Sequence, residues 1–151
     1  MGSVRIELQR TGAIEVPLPE YQTEGAAGMD LHAALTEAVV IRPLERVLVS
    51  TGVRVAIPGG FEAQVRPRSG LAARSGITVL NSPGTIDSDY RGEIKVLLIN
   101  LGPEPCEILP MDRIAQIVFA PVSRAVWAVV PELSVTRRGE GGYGSTGTRH
   151  G

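Results

Sequence analysis

The feature that most limits the folds open to this chain is its rhythm. Short apolar or alternating runs return about every eight to twelve residues. They lie at 4–8, 29–34, 38–41, 46–50, 53–57, 61–65, 77–80, 94–101, 114–120 and 126–130. Gly and Pro fill the intervals, 18 and 11 of them in 151 residues, enough to punctuate every interval with a turn. Runs this short cannot build core-facing helices, and the apolar residues are mainly Val, Ile, Leu and Ala, a β-branched mixture that suits strands. The pattern predicts an all-β domain, a jelly roll or β-sandwich-like barrel, over residues 1–135.

Two segments depart from the rhythm. SGLAARSG, beginning at Ser69, predicts one short helix of about two turns, with Ser69 as its cap and Gly76 as its stop. From residue 136 the sequence TRRGEGGYGSTGTRHG has almost no apolar anchor, so 136–151 is expected to be a flexible Gly-rich arm. The run IKVLLINL is apolar on both strand faces through Val96, Leu97, Leu98 and Ile99. It is either the central strand of a two-layer core or a strand with one face against a second subunit.

A net charge of -1, with no basic block, gives no general attraction for nucleic acid or an anionic membrane, and neither is expected as a partner. Any anion must be met locally. Cys106 is the single cysteine, so no intrachain disulfide forms, and the chain shows no run of signal or transmembrane length. The cytoplasm is the expected location.

Several chemistries find no residues to carry them: a Walker-type phosphate loop, a His/Cys cluster at metal-ligand spacing, and a His beside a nucleophile are all missing. Gly139, Gly141 and Gly144 satisfy G-x-G-x-x-G, but no strand precedes them and no helix can follow. What the sequence offers instead are local places for an anion. The arm has unobstructed backbone N–H groups beside Arg138, Ser145 and Thr146, and one ring, Tyr143. RPRSGLAARSG sets Arg66 and Arg68 ahead of a helix N-terminus. A solvated tail and an ordinary capped helix would read the same way, and Asp30 and Asp112–Arg113 read equally as surface ion pairs.

Taken in order, five segments resemble the trimeric deoxyuridine triphosphatases (dUTPases): AGMDLHA (27–33), PRSGLA (67–72), GTIDSDYRGEI (84–94), DRIAQ (112–116) and RGEGGYGSTG (138–147). The resemblance implies a jelly-roll homotrimer with shared active sites. It implies hydrolysis of dUTP to dUMP and pyrophosphate by in-line attack of water on the α phosphorus, with Mg²⁺ as cofactor. By the same resemblance, 81–94 is a β-hairpin that reads uracil through backbone groups around Thr85 and Ile86, with Asn81 assisting. Rigid backbone edges reject cytosine by its exchanged donor and acceptor, and thymine by its methyl.

Tyr90 matches the family residue that packs on deoxyribose where a ribose 2′-OH would collide, and Asp87 the carboxylate that orients and deprotonates the attacking water. Lys95 completes the hairpin's share of the substrate site, while Asp89, Arg91 and Glu93 belong to its structure. A triphosphate carries about four negative charges that repel a nucleophile, so donors and cations must offset them. The matching residues are Ser69 and Gly70 near the bridge between α and β phosphates, Gln116 near the α phosphate, and Arg68 and Arg138 towards the γ phosphate. Tyr143, Gly144 and Ser145 close over the nucleotide from the arm. Tyr143 stands where the family usually has Phe, and a stacking ring is retained. Asp30 holds Mg²⁺ through a water. Two other readings stay open: a dCTP deaminase of the same fold, which needs a catalytic Glu near the base, and a nucleotide-sensing module without hydrolysis.

Overall fold

Eleven strands and one short helix are formed within residues 2–142, the part of the chain that the computed structural model describes. In chain order they are β1 (Glu7–Arg10), β2 (Met29–His32), β3 (Val39–Ile41), β4 (Arg46–Ser50), β5 (Val53–Ala56), β6 (Phe61–Arg66), α1 (Ser69–Ser75), β7 (Ile77–Val79), β8 (Gly84–Ile86), β9 (Lys95–Asn100), β10 (Cys106–Ile108) and β11 (Arg113–Pro121). Every pairing is antiparallel. The larger sheet runs β2-β11-β6-β8 and the second β4-β9-β7, with β1-β5 and β10-β3 as two-stranded additions. This is the all-β architecture with one helix that the sequence predicts.

Alternation explains which face goes inside. Val53 and Val55, Ala63 and Val65, and Val96 and Leu98 are buried while their strand neighbours are not. They meet Leu31, Val49, Ile114 and Ile117 in one aliphatic core. Each Leu or Ile buried there contributes about 1.5–3 kcal/mol over its exposed state. Strand β9 is the central strand of its sheet, and its two apolar faces differ: Val96 and Leu98 are buried, whereas Leu97 and Ile99 are half-buried beside the exposed Leu48.

Two polar side chains, Thr51 and Asn100, lie wholly inside among the described residues. Asn100 donates from Nδ2 to the carbonyls of Ile41 and Glu104, both at 2.8 Å, and its Oδ1 accepts from the Gly102 N–H at 2.8 Å. Asn100→Ala would leave those groups without partners, and it is expected to cost roughly 2–4 kcal/mol of unfolding free energy. Urea denaturation checks this; a loss within experimental error would show that water replaces the amide.

Three details differ from the sequence reading. Ser69 is the first helical residue rather than the cap; Arg68 holds the cap position with extended backbone and makes no side-chain capping bond. Gly76 does end the helix, at φ 68°, and a Cβ there would fall 2.5 Å from the Gly102 Cα, so the stop is also a close backbone crossing. Residues 126–130 form no strand: Val126 is 93% exposed and Val129 98%, so their apolar character finds no cover among the described residues. Finally, 81–94 is not a closed two-stranded hairpin. Strand β8 pairs with β6 and β9 with β4 and β7, so the polar loop between them crosses from one sheet to the other.

Candidate active site

That crossing loop borders a cavity of about 330 Å³ at the edge between the two sheets. Val65, Val79, Ile86 and Leu97 give it apolar walls, and Asn81, Asp87, Tyr90 and Lys95 stand among its polar and aromatic lining. Because β8 is the last strand of its sheet, one backbone edge is paired with β6 and the other has no strand partner among the described residues. The cavity is lined by this strand at Gly84, Thr85 and Ile86. A row of backbone donors and acceptors beside an apolar slot can bind the edge of a flat polar ring. Gly84 has a role here: a Cβ would come within 3.2 Å of Asn81 Nδ2, so the amide lies close against the strand.

The loop is tied at both ends. The Tyr90 N–H donates to the Asp87 carbonyl at 3.1 Å, and Arg91 Nη1 donates to the carbonyls of Ser88 and Tyr90 at 2.6 and 2.8 Å. At the far end the Glu93 carboxylate accepts from the Gly52 N–H at 3.0 Å and from Ser50 Oγ at 3.5 Å. The buried Thr51 hydroxyl donates to the Ile94 carbonyl at 2.6 Å. Asp87 and Asp89 also line a neighbouring polar cavity with Glu62 and Arg124.

A second group of predicted residues gathers elsewhere. Asp30, Arg68, Ser69, Gly70 and Gln116 line a cavity of about 220 Å³. Asp30 Oδ1 lies 2.8 Å from Arg68 Nε, and its Oδ2 lies 3.6 Å from Arg113 Nη1. The Arg68 guanidinium also donates to the Arg113 carbonyl at 3.3 Å, so the carboxylate and this carbonyl together set its direction. Gln116 Nε2 donates to the Pro67 carbonyl at 3.0 Å, and Gly28 leaves the room its side chain occupies, since a Cβ there would fall 3.2 Å from Gln116 Cδ. With no side chain capping α1, its first N–H groups remain available beside Ser69 and Gly70. One arginine in the lining, with Arg113 paired to Asp30 nearby, a hydroxyl, an amide and backbone N–H groups make a site for an oxyanion.

The two cavities share no residue, and apart from Thr85 the larger-sheet side chains that line them belong to opposite faces of that sheet. Opposed residues of an antiparallel pair point the same way. Asp30, Gln116 and Arg66 are in register on one row, outward, while Val65 and Ile117, the next residues along, point inward. The anion group therefore sits on the outer face. The loop cavity is bounded by the inward Val65 and Ile86 and by the other sheet.

Beside Asp30, His32 has its pKa lowered, first by burial and then by the Arg113 charge, with Asp30 pulling the other way; its Nδ1 is buried without a hydrogen-bond partner. A folded-state pKa below the usual value means that the unfolded chain takes up a proton which the folded chain resists. The neutral ring's contribution is whole above about pH 6.5 and falls as the pH drops below it. Denaturation midpoints between about pH 7.5 and 5.5 should decline more steeply in the parent protein than in His32→Gln. Equal slopes would assign the decline to other groups.

Arg138 joins neither cavity: it is exposed, and its Nε donates to the Gly141 carbonyl at 2.8 Å. Tyr143, Gly144 and Ser145 lie outside the described residues. Sequence reasoning passed over Arg113 as a partner of Asp30, and over Glu93 as the tie between the loop and the β4–β5 turn. Neither has a local signal, because each depends on a partner distant in sequence.

The dUTPase family model matches residues 14–147. The chain is 56% identical to the deoxyuridine 5′-triphosphate nucleotidohydrolase of Wolbachia pipientis subsp. Culex pipiens (strain wPip), over 95% of this chain and 96% of that one. It is 53% identical to the enzyme of the same description from Ehrlichia canis (strain Jake), over 95% of each. Among solved structures it resembles a G164S mutant dUTPase of Staphylococcus bacteriophage 80alpha with dUpNHpp, at a TM-score of 0.82 and 26% identity, covering 95% of this chain and 99% of that one. With the family model spanning most of its length and relatives above half identity along nearly all of it, the chain belongs to the dUTPase family.

Proposed function

We propose that this protein hydrolyses dUTP to dUMP and pyrophosphate, keeping uracil out of DNA and supplying dUMP for dTMP synthesis. The observation that carries the residue assignments is the separation of two complementary cavities. One offers an open backbone edge and a carboxylate; the other offers cations and donors for an anion. Uracil lies along β8 at Thr85 and Ile86, with the Asn81 amide beside it and Tyr90 against the sugar. Lys95 adds a cation at the rim. The triphosphate lies on Arg68, Ser69, Gly70 and Gln116, with Arg138, Tyr143, Gly144 and Ser145 arriving from the arm.

Asp87 orients a water for in-line attack on the α phosphorus and takes its proton. A carboxylate accepts that proton only as the nucleophile commits, so positioning carries most of the catalysis. The charge that moves onto the leaving pyrophosphate is met by donors already fixed in place: Arg68 is held by Asp30 and Gln116 by Pro67.

Among the described residues no group of three or more His, Cys, Asp or Glu is arranged to hold a metal. That donor set suits an Mg²⁺ ion whose ligands come from phosphate oxygens and water, since Mg²⁺ keeps much of its hydration shell. Asp30 Oδ2, 3.6 Å from Arg113, retains lone pairs to accept from a coordinated water. When bound, the ion neutralises phosphate charge and fixes the triphosphate's shape.

We further propose a homotrimer in which each site draws its two cavities from different chains. The opposed faces of the two groups support it, because a nucleotide lying in one chain's loop cavity is turned away from that chain's own anion group. So do the exposed Leu48 and the uncovered side chains of Val126, Trp127, Val129 and Leu133, which another subunit can cover. Among the described residues no helix is long and apolar enough to cross a membrane. A substrate from the nucleotide pool accords with a cytoplasmic location.

Deamination of dCTP needs a carboxylate free to act near the base. Glu93 lines the cavity, but its carboxylate is engaged by Gly52 and Ser50. Pyrophosphate release compared for dUTP, dCTP, dTTP and UTP, with ammonia measured in parallel, tests the reading. Turnover confined largely to dUTP is expected; ammonia from dCTP would select the deaminase, and no turnover of any nucleotide the sensing module.

A further inference from the structure

The Tyr90 ring lies where a side chain at Gly92 would be. A Cβ on Gly92 would fall 2.5 Å from Tyr90 Cζ and 2.9 Å from Cε2, and closer still to the hydroxyl oxygen. The ring thus rests on the backbone of residue 92, and its hydroxyl donates to the Glu93 carbonyl at 3.0 Å. That carbonyl does not drift, because the Glu93 carboxylate is fixed to the Gly52 N–H at the β4–β5 turn and the next residue, Ile94, is held by Thr51 and Val53. The ring is nonetheless 46% exposed, so the cavity walls alone do not hold it.

We propose that Gly92 and the Glu93 carbonyl are positioning elements for sugar selection, holding the Tyr90 ring at the height where it admits deoxyribose and excludes a 2′-hydroxyl. This rests on the reading of Tyr90 as the group that meets the sugar. A steric wall discriminates only while it stays put, since a ring that can swing away admits the larger sugar at little cost. The atoms that a Gly92 side chain meets are the far end of a side chain, not backbone. An added methyl therefore displaces the ring, and with it the hydroxyl's bond to Glu93, while the Tyr90 N–H to Asp87 carbonyl bond and the Glu93 ties to Gly52 do not involve the ring.

The test measures kcat/KM for dUTP and for UTP in the parent protein, Tyr90→Ala, Gly92→Ala and the double variant. The dUTP:UTP ratio should fall by about 10-fold or more in Gly92→Ala. The double variant should show no further fall beyond Tyr90→Ala, because there is no ring left to displace. Should Gly92→Ala lower both substrates equally and leave the ratio unchanged, or should the two substitutions multiply, Gly92 is not a positioning residue. Tyr90→Phe removes only the hydroxyl bond, and it keeps the proposal testable if Gly92→Ala does not fold. A fall in the ratio of roughly 2–5-fold is expected there, and an unchanged ratio overturns the role of the Glu93 carbonyl. The Tyr90→Ala arm separates the two levels: if it leaves the ratio intact, the reading of Tyr90 fails and this proposal with it. If Tyr90→Ala narrows the ratio and Gly92→Ala does not, this proposal alone fails.

Discussion

Asp87→Asn is expected to lower kcat by roughly 10²–10⁴-fold while leaving nucleotide affinity within a few-fold of the parent. The substitution keeps the shape of the side chain and removes its capacity to take a proton. It also spares the loop, because the residue's structural bond runs from the Tyr90 N–H to the Asp87 backbone carbonyl. The side chain reaches the rim of the cavity that β8 borders, so the loss should fall on turnover and not on folding. Single-turnover kinetics with a dUTP analogue titration separates the two. A near-normal kcat in folded protein would take Asp87 out of the mechanism.

A second large effect is expected if, as proposed, each site is shared between chains. Removing residues 138–151 is expected to cost about two orders of magnitude in kcat/KM, since Arg138, Tyr143 and the arm's backbone donors leave together. Neither this protein nor Asp87→Asn should then be active. Refolded together in equal amounts, they should recover activity in roughly a quarter of the sites, the fraction in which an intact loop from one chain meets an intact arm from another. If loop and arm of one site came from the same chain, every site would carry one lesion and the mixture would stay inactive. Mass spectrometry of differently tagged chains confirms that the subunits have mixed before turnover is read.

How legible the fold was depends on where each strand's partners lie. Strands β5, β6 and β9 could be read directly, because every second residue is buried in the same chain. The three-residue strands β8 and β10 could not: GTI and CEI are too short to show a period, and pairing with β6 and β3 is what makes them strands. Residues 126–130 misled in the opposite direction. Their apolar pattern fits the strand rhythm, yet they form no strand and Trp127 is 91% exposed. Hydrophobicity records that a side chain seeks cover and not which chain supplies it.

The candidate site was readable as a set of residues and unreadable as an arrangement. The sequence brought Asp30, Arg68, Ser69 and Gln116 forward together with Asp87 and Tyr90. That Asp30 and Gln116 share an outward row, while the cavity lined by Asp87 and Tyr90 is walled by the inward Val65 and Ile86, follows only from strand register, which depends on contacts between distant strands. Gly92 is similar: one glycine in a polar loop has no local signature, and its meaning appears only once the Tyr90 ring is seen lying over it.

The most direct test of the account is hydrolysis of dUTP in ¹⁸O-labelled water with both products weighed. Attack on the α phosphorus by a water held at Asp87 predicts dUMP carrying one labelled oxygen and unlabelled pyrophosphate. Label in pyrophosphate would move the attack to the β phosphorus, and release of dUDP with orthophosphate would move it to the γ phosphorus. Either result would contradict the assignment of Asp87 and of the anion cluster proposed to receive the leaving group.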